Sequence, residues 1–269
     1  MIPFTKAHAC GNDFLIVTEE DSADYDKAEL TRRLCERNTG IGADGIEFFT
    51  WTGPNSGRIR LHNADGSIAE ISGNGTRCVA AWMADVLNSQ PGDLLEITTD
   101  AGMRPCSVVT RDEHSVRVTA GMGVPVFAPR TVALANGSSI AGVEVSMGNP
   151  HFVSLVDNPE FAVAGQSWQA IGAEICFHAD FPHQTNVLFF RIINSSQIEI
   201  RIFERGVGPT HSSGTGSSAS ATAALAFNGC VSPLTVVAPG GSQTVAWEGA
   251  GTELKLTGPA SLICRGEAW

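Results

Sequence analysis

Two glycine motifs recur in the same order about half a chain apart, and this repeat limits the possible folds more than any other feature. Cys10-Gly11-Asn12-Asp13-Phe14, running into Leu15-Ile16-Val17, has a partner in Met147-Gly148-Asn149-Pro150-His151-Phe152, running into Val153-Ser154-Leu155-Val156. Ser72-Gly73-Asn74-Gly75-Thr76 has a partner in Ser213-Gly214-Thr215-Gly216-Ser217. The offset is 137 from Asn12 to Asn149 and 141 from Ser72 to Ser213. Two motifs in one order at nearly one offset point to a duplicated unit, not to coincidence among 29 glycines.

Each Ser-Gly-x-Gly leads into a stretch of small and apolar residues, Cys78 to Leu87 and Ala219 to Phe227. Both are apolar on nearly every side, which predicts a helix buried inside its own half. Asn88 and Asn228-Gly229 supply C-terminal stops. Short alternating runs at Arg58–Leu61, Leu94–Thr98, Ser115–Val118, Val187–Ile192 and Gln197–Phe203 predict strands separated by turns. The expected fold class is α/β (α+β): two pseudo-symmetric halves, each a mixed or antiparallel sheet wrapped around a central helix. The expected division is 1–120, with its helix after Ser72, and 121–269, with its helix after Ser213; the last strand is free to return to the N-terminal half. A linker is expected between Ala120 and Arg130, where Gly121, Gly123, Pro125 and Pro129 cluster. A chain of 269 residues suits two domains of roughly 130.

Composition removes several kinds of function. A net charge of −11 argues against a nucleic-acid or anionic-membrane surface. No apolar run approaches the roughly 20 residues of a membrane span, and Met1 to Val17 has no secretory core. The 7 cysteines are scattered without a Cys-x-x-Cys, which predicts mostly buried free thiols in a reducing compartment, no metal site, and a cytoplasmic protein. Lysine stands only at 6, 27 and 255, leaving few candidates for Schiff-base chemistry. One Gly-x-Gly-x-x-Gly, Gly40 to Gly45, follows a helical-looking stretch, Ala28 to Arg37, and runs into a strand-like one, Ile46 to Trp51. A dinucleotide fingerprint needs the opposite order, so these glycines read as a turn. No cofactor is expected.

A buried helix that starts with Gly-x-Gly offers bare backbone N–H groups and the positive end of its dipole, a ready cradle for a carboxylate. Ser72 and Ser213 stand just before the two cradles; serine also favours plain N-capping, and only the symmetry of the pair argues for more. Asn12, Asn63, Asn149 and Asn186 lie in or beside glycine-rich turns, where asparagine tolerates left-handed backbone and is also a ligand donor. Glu204-Arg205, before Gly206-Val207-Gly208, reads as a solvated pair or, facing a cleft, as a match for an amino acid's ammonium and carboxylate.

These residues together resemble the diaminopimelate epimerase family. The likeness runs through Phe4-Thr5-Lys6-x-His8-x-x-Gly11-Asn12-Asp13-Phe14, Gly40-Ile41-Gly42-Ala43-Asp44-Gly45 and His62-Asn63-Ala64-Asp65-Gly66-Ser67. It continues through Gly73-Asn74-Gly75-x-Arg77-Cys78, Met147-Gly148-Asn149-Pro150-His151, Glu204-Arg205-Gly206-Val207-Gly208 and Pro239-Gly240-Gly241-Ser242. It implies a cofactor-independent enzyme that interconverts LL- and meso-diaminopimelate for lysine and cell-wall precursor synthesis, a homodimer with its active site between two pseudo-symmetric halves. By resemblance Gly73-Asn74 and Gly214-Thr215 hold the carboxylate of the reacting centre and Glu204 its ammonium. Asn63, Asn149, Asn186 and Arg205 hold the distal end, Asn12 lines the cleft, and His151 and Glu204 tune the acid and base.

One departure is chemical. The family uses two cysteines for its acid and base, and Ser72 and Ser213 stand at those positions; Pro209 replaces a glutamate, and Ser218 stands where many members have another cysteine. A thiol of pKa near 8.5 ionises partly at neutral pH, whereas an unassisted hydroxyl near 15.7 falls short as a base by several units. Each unit is worth about 1.36 kcal/mol, so His151, Glu204 or Asp65 becomes a candidate substitute base. Three readings stay open: a diaminopimelate epimerase working with serines, a racemase or dehydratase of another amino acid in the same superfamily, or a non-catalytic binder.

Overall fold

The computed structural model describes residues Met1–Trp269, which form two compact units: Met1–Gly121 with Thr257–Trp269, and Met122–Leu256. The first unit contains β1 (Ile2–Ala9), β2 (Asn12–Thr18), α1 (Lys27–Cys35), β3 (Gly45–Trp51), β4 (Ser56–Asn63), β5 (Ile68–Ala69), α2 (Gly73–Val86), β6 (Leu94–Thr99), β7 (Gly102–Arg111) and β8 (Ser115–Gly121). The second contains β9 (Val126–Ala133), β10 (Ser139–Ser146), β11 (Pro150–Leu155), α3 (Trp168–Cys176), β12 (Asn186–Asn194), β13 (Gln197–Glu204), β14 (Gly208–Thr210), α4 (Gly214–Phe227), β15 (Leu234–Ala238) and β16 (Gly241–Ala246). The last strand, β17 (Lys255–Ala268), lies mostly in the first unit.

In the first unit the sheet closes on itself. β17 pairs with β1, β1 with β2, β2 in parallel with β3, β3 with β4, β4 in parallel with β6, β6 with β7, β7 with β8, and β8 returns to β17. A ring of strands leaves no open edge, and α2 sits against β1, β2, β6, β7 and β8 within it. The second unit repeats the plan. β10 pairs with β11, β11 in parallel with β12, β12 with β13, β13 in parallel with β15, and β15 with β16, with β9 beside β10. In each unit one short helix links the parallel pair, α1 or α3, and one 14-residue helix follows the hairpin, α2 or α4. The register repeats as well: Ile16 lies opposite Glu47 on β2 and β3, and Val153 opposite Leu188 on β11 and β12. Glu47 and Leu188 are therefore equivalent positions of the duplication.

Alternation decides which side chains see each helix. On β3, Ile46 and Phe48 join Leu30, Leu34 and Cys35 of α1 in one core. Phe49 points the other way, with its ring 4.8 Å from that of Trp82 on α2, and Glu47 shares that face. In the second unit Phe152, Val187 and Phe189 pack with Ile171, Ile175 and Cys176 of α3.

Both central helices begin directly after the serines, at Gly73 and Gly214, because a serine cap lets the glycines and polar residues of the first turn take helical dihedrals. The segment from Ala120 to Arg130 is a linker only in part, since β8 runs to Gly121 and β9 starts at Val126. Between α1 and β3, Gly40 fits only without a side chain, because a Cβ would come 2.4 Å from Arg33 O; Gly42 has φ +78°. That glycine run is a tight helix-to-strand turn. Of the cysteines, all free, only Cys264 is exposed.

Phe48→Ala and Phe152→Ala, each emptying a fully packed site, are each expected to cost about 3–5 kcal/mol in urea unfolding.

Candidate active site

The two central helices begin alike. Ser72 (φ −122°, ψ 121°) and Ser213 (φ −146°, ψ 124°) are the N-caps, and their Oγ atoms accept from Gly75 N at 3.0 Å and Gly216 N at 3.2 Å. Capping uses only the acceptor side of each hydroxyl, so the O–H proton remains for another partner. Neither first turn contains an acidic residue, and the positive end of each helix is not neutralised from within. The glycines are needed for close approach. A Cβ at Gly75 would stand 1.9 Å from Glu47 Oε1, and one at Gly216 would stand 2.8 Å from Leu188 Cδ2.

In the first unit, a chain of polar contacts holds the helix start. Asn74 Nδ2 donates to Asn12 Oδ1 at 3.1 Å, and Asn74 Oδ1 accepts from Arg77 Nη2 at 2.6 Å. Arg77, completely buried, also donates to Gly73 O at 3.1 Å. Asn12 Nδ2 in turn donates to Asp44, whose other oxygen accepts from Arg37 at 2.8 Å. Burial works against the Asp13 charge, but hydrogen bonds from Arg37 and Lys6 outweigh it and hold the carboxyl below the ordinary range. Asn63 is not in this chain: it is exposed at the end of β4 and donates to Ser67 Oγ at 3.1 Å. Asp65 belongs to the same turn, where Ser67 holds its carboxyl low, and so it makes a weak base.

In the second unit the expected residues converge. His151 lies opposite Asn186 on β11 and β12 and is fully buried. Its Nδ1 is 3.0 Å from Asn149 O, a carbonyl that can only accept, so Nδ1 carries the proton. The Nε2 lone pair then receives Thr215 Oγ1 at 3.2 Å and Asn186 Nδ2 at 3.4 Å. Thr215 also accepts from Asn149 Nδ2 at 3.4 Å, and Asn149 Oδ1 is buried without a hydrogen-bond partner. Asn186 Oδ1 accepts from the backbone N–H of Arg205 at 2.9 Å. The Arg205 side chain is exposed and donates to His183 O at 3.1 Å, while half-buried Glu204 ends β13. Gly206 (φ +78°) and Gly208 (φ +96°) make the turn that follows. Burial depresses His151 to about 4, so its imidazole is neutral at physiological pH and works as an acceptor for Thr215. Ser218 is a buried helix residue whose Oγ donates to Gly214 O at 2.9 Å, and Pro209 lies exposed in β14.

Sequence reasoning missed one group. Glu47 is fully buried, neither carboxyl oxygen has a hydrogen-bond partner, and burial pushes its pKa up to about 8. Its only signal was a lone acid inside the apolar run Ile46-Glu47-Phe48-Phe49.

The sequence profile described as diaminopimelate epimerase matches residues 4–128 and 143–263. The chain belongs to the diaminopimelate epimerase family. A diaminopimelate epimerase of Corynebacterium glutamicum strain R is 36% identical over 276 residues, covering 99% of this chain and 98% of that protein. One from Teredinibacter turnerae is 34% identical, with 98% of each covered. Among solved structures, a phenazine biosynthesis protein of the PhzF family from Bacillus anthracis superposes with a TM-score of 0.71 at 15% identity, over 100% of this chain and 99% of that one. A hydroxyproline epimerase of Agrobacterium vitis superposes with 0.67 at 18% identity, over 98% and 90%. Those likenesses show the fold, and the family membership makes the chain an isomerase of the epimerase type. No helix is long and apolar enough to cross a membrane.

The depressed His151 makes stability depend on pH with a definite sign. The unfolded imidazole takes a proton near 6.5 and the folded one only near 4, so this contribution is present above about pH 6.5 and is lost as pH falls through 4. It amounts to roughly 3 kcal/mol at 1.36 kcal/mol per unit. Urea unfolding at pH 7.5 and pH 4 measures it, and His151→Gln is expected to flatten that part of the profile while lowering stability at pH 7.5.

Proposed function

We propose that this chain epimerises one α-carbon of diaminopimelate, interconverting the LL and meso forms without a cofactor, as a cytoplasmic homodimer in lysine and cell-wall precursor synthesis. The observation that carries the proposal is the pair of serine-capped helix starts whose own first turns hold no acid, each with amide side chains beside it. A carbanion forms at an α-carbon only if its carboxylate takes up charge, and a helix N-terminus is built to meet that charge. In this assignment Gly73-Asn74 and Gly214-Thr215 bind the carboxylate of the reacting centre and Glu204 its ammonium. Asn63, Asn149, Asn186 and Arg205 bind the distal carboxylate and ammonium, and Asn12 holds Asn74 in place.

Ser72 and Ser213 occupy the acid and base positions. His151 supports the second by accepting from Thr215, next to the cap, and so fixes the donor geometry at the start of α4. The distal set favours diaminopimelate over a simple amino acid, since a site that hydrogen-bonds a polar distal end binds analogues lacking it more weakly. Asn149 Oδ1, buried and unpaired, is suited to an ammonium donor.

Proton NMR in D2O tests the proposal. Loss of the α-proton signal from LL- or meso-diaminopimelate is expected with the chain as it stands, and faster loss with Ser72→Cys/Ser213→Cys because a thiolate is the stronger base at neutral pH. No exchange by either protein, or equal affinity for monocarboxylate amino acids, overturns it. Arg205→Ala is expected to raise KM about 10- to 100-fold with a smaller effect on kcat, the loss of a charged hydrogen bond in binding. Sedimentation equilibrium at micromolar concentration is expected to give a dimer mass.

A further inference from the structure

Glu47 has no structural reason to be acidic. It stands on the α2-facing side of β3, fully buried, with both oxygens lacking a hydrogen-bond partner. Its equivalent in the second unit is Leu188, which meets Gly216 of α4 as Glu47 meets Gly75 of α2. The repeated plan therefore works with an aliphatic side chain at this place, and a buried, unpaired carboxyl there costs stability. Stability given up at one half of a duplicated fold is the mark of a functional group.

Its neighbour supplies the use. The point where a Gly75 Cβ would stand is 1.9 Å from Glu47 Oε1 and 3.2 Å from Ser72 Cβ, so the carboxyl and the capping serine flank the same glycine. Ser72 accepts from Gly75 N and has a hydroxyl proton to give; Glu47 has two oxygens able to take it. Asp65 is held low by its turn. We infer that Glu47 is a positioning residue that takes the hydroxyl proton of Ser72 as Ser72 removes the substrate α-proton, making serine an adequate base in the first unit only. The inference rests on the epimerase reading above.

The step balances. The Cα–H bond breaks, its electron pair stays on the substrate and spreads into the carboxylate, its proton bonds to Ser72 Oγ, and the hydroxyl proton passes to a Glu47 oxygen; the reverse restores every group. For the transfer the Glu47 side chain has to turn from the Gly75 face of the first turn toward Oγ, since neither of its oxygens is hydrogen-bonded at rest.

What surrounds Glu47 sets when it works. The Cys78 thiol of α2 is pushed up by burial and feels the Glu47 charge, while Ile16 on β2 and Leu61 on β4 lie opposite Glu47 in register. Arg77 of α2 is turned to Gly73 O and Asn74 Oδ1, and Asp13 of β2 is tied to Lys6 and Arg37. Burial alone raises its proton affinity, to about 8. A base must be ionised to accept, so exchange driven by Glu47 climbs as pH rises through that value.

The test is α-proton exchange in D2O from LL- and from meso-diaminopimelate, followed across pH 6 to 10, with calorimetric binding of both to every variant. Glu47→Gln and Glu47→Leu are expected to slow exchange from one epimer at least about 100-fold, far more than from the other, and to remove the rise near pH 8. Glu47→Leu is also expected to raise the melting temperature, more at pH 9 than at pH 5, because a carboxyl whose folded pKa is raised loses stability as pH climbs. Adding Ser72→Cys to Glu47→Gln is expected to restore exchange, since a thiolate needs no carboxylate behind it. Equal losses from both epimers, no rescue by the cysteine, or binding by the unmodified chain with no exchange at any pH would each overturn the role of Glu47. Failure of the unmodified chain to bind diaminopimelate is a different result and removes the substrate reading on which the role depends.

Discussion

Everything in each unit is arranged around one awkward object, the N-terminus of a helix brought inside a sheet. The first turn of any helix leaves N–H groups without intrahelical acceptors, and burying them unpaired costs about 1–3 kcal/mol each. Here the surroundings cannot supply bulk, because strands β3 and β12 press against the first turn so closely that Gly75 and Gly216 have no room for a side chain. The cap must therefore come from the residue before, and serine is small enough to provide it in both units. The potential left over points at whatever occupies the mouth of the helix.

The two units solve the support of that helix start differently. In the first, charge is fixed at a distance: Arg37 and Lys6 hold Asp13, Arg37 holds Asp44, Asp44 holds Asn12, and Asn12 meets Asn74 beside the buried Arg77 guanidinium. In the second, a neutral network does the same with Asn149, His151, Thr215 and Asn186, and burial keeps the imidazole uncharged. A charged relay tolerates solvent at its outer end, whereas a buried one is cheaper when every member is neutral. Duplication fixed the backbone plan and left the polar dressing free to diverge, as Glu47 against Leu188 also shows.

The duplication, the two central helices and most strands were legible in the chain, because glycine spacing and hydrophobic period are local properties. Of the residues singled out in the chain, Asn12 and Asn74 are partners in the first unit, and Asn149, His151, Asn186 and Thr215 are partners in the second. Asn63 is bonded within its own turn, and Arg205 reaches Asn186 through its backbone N–H, contacts that sequence spacing does not specify.

By itself the sequence determined what is periodic or covalent: which segments form strands, where a helix is capped, that one plan is used twice, and that both caps are hydroxyls. Tertiary structure alone decided what depends on neighbours remote in the chain. The tautomer of His151 follows from a carbonyl on its own turn and a hydroxyl 64 residues away, and the burial of Glu47 follows from a helix that begins 26 residues later. Proton affinity is set by solvent access and by nearby charge, and neither exists until the strands close around the helix.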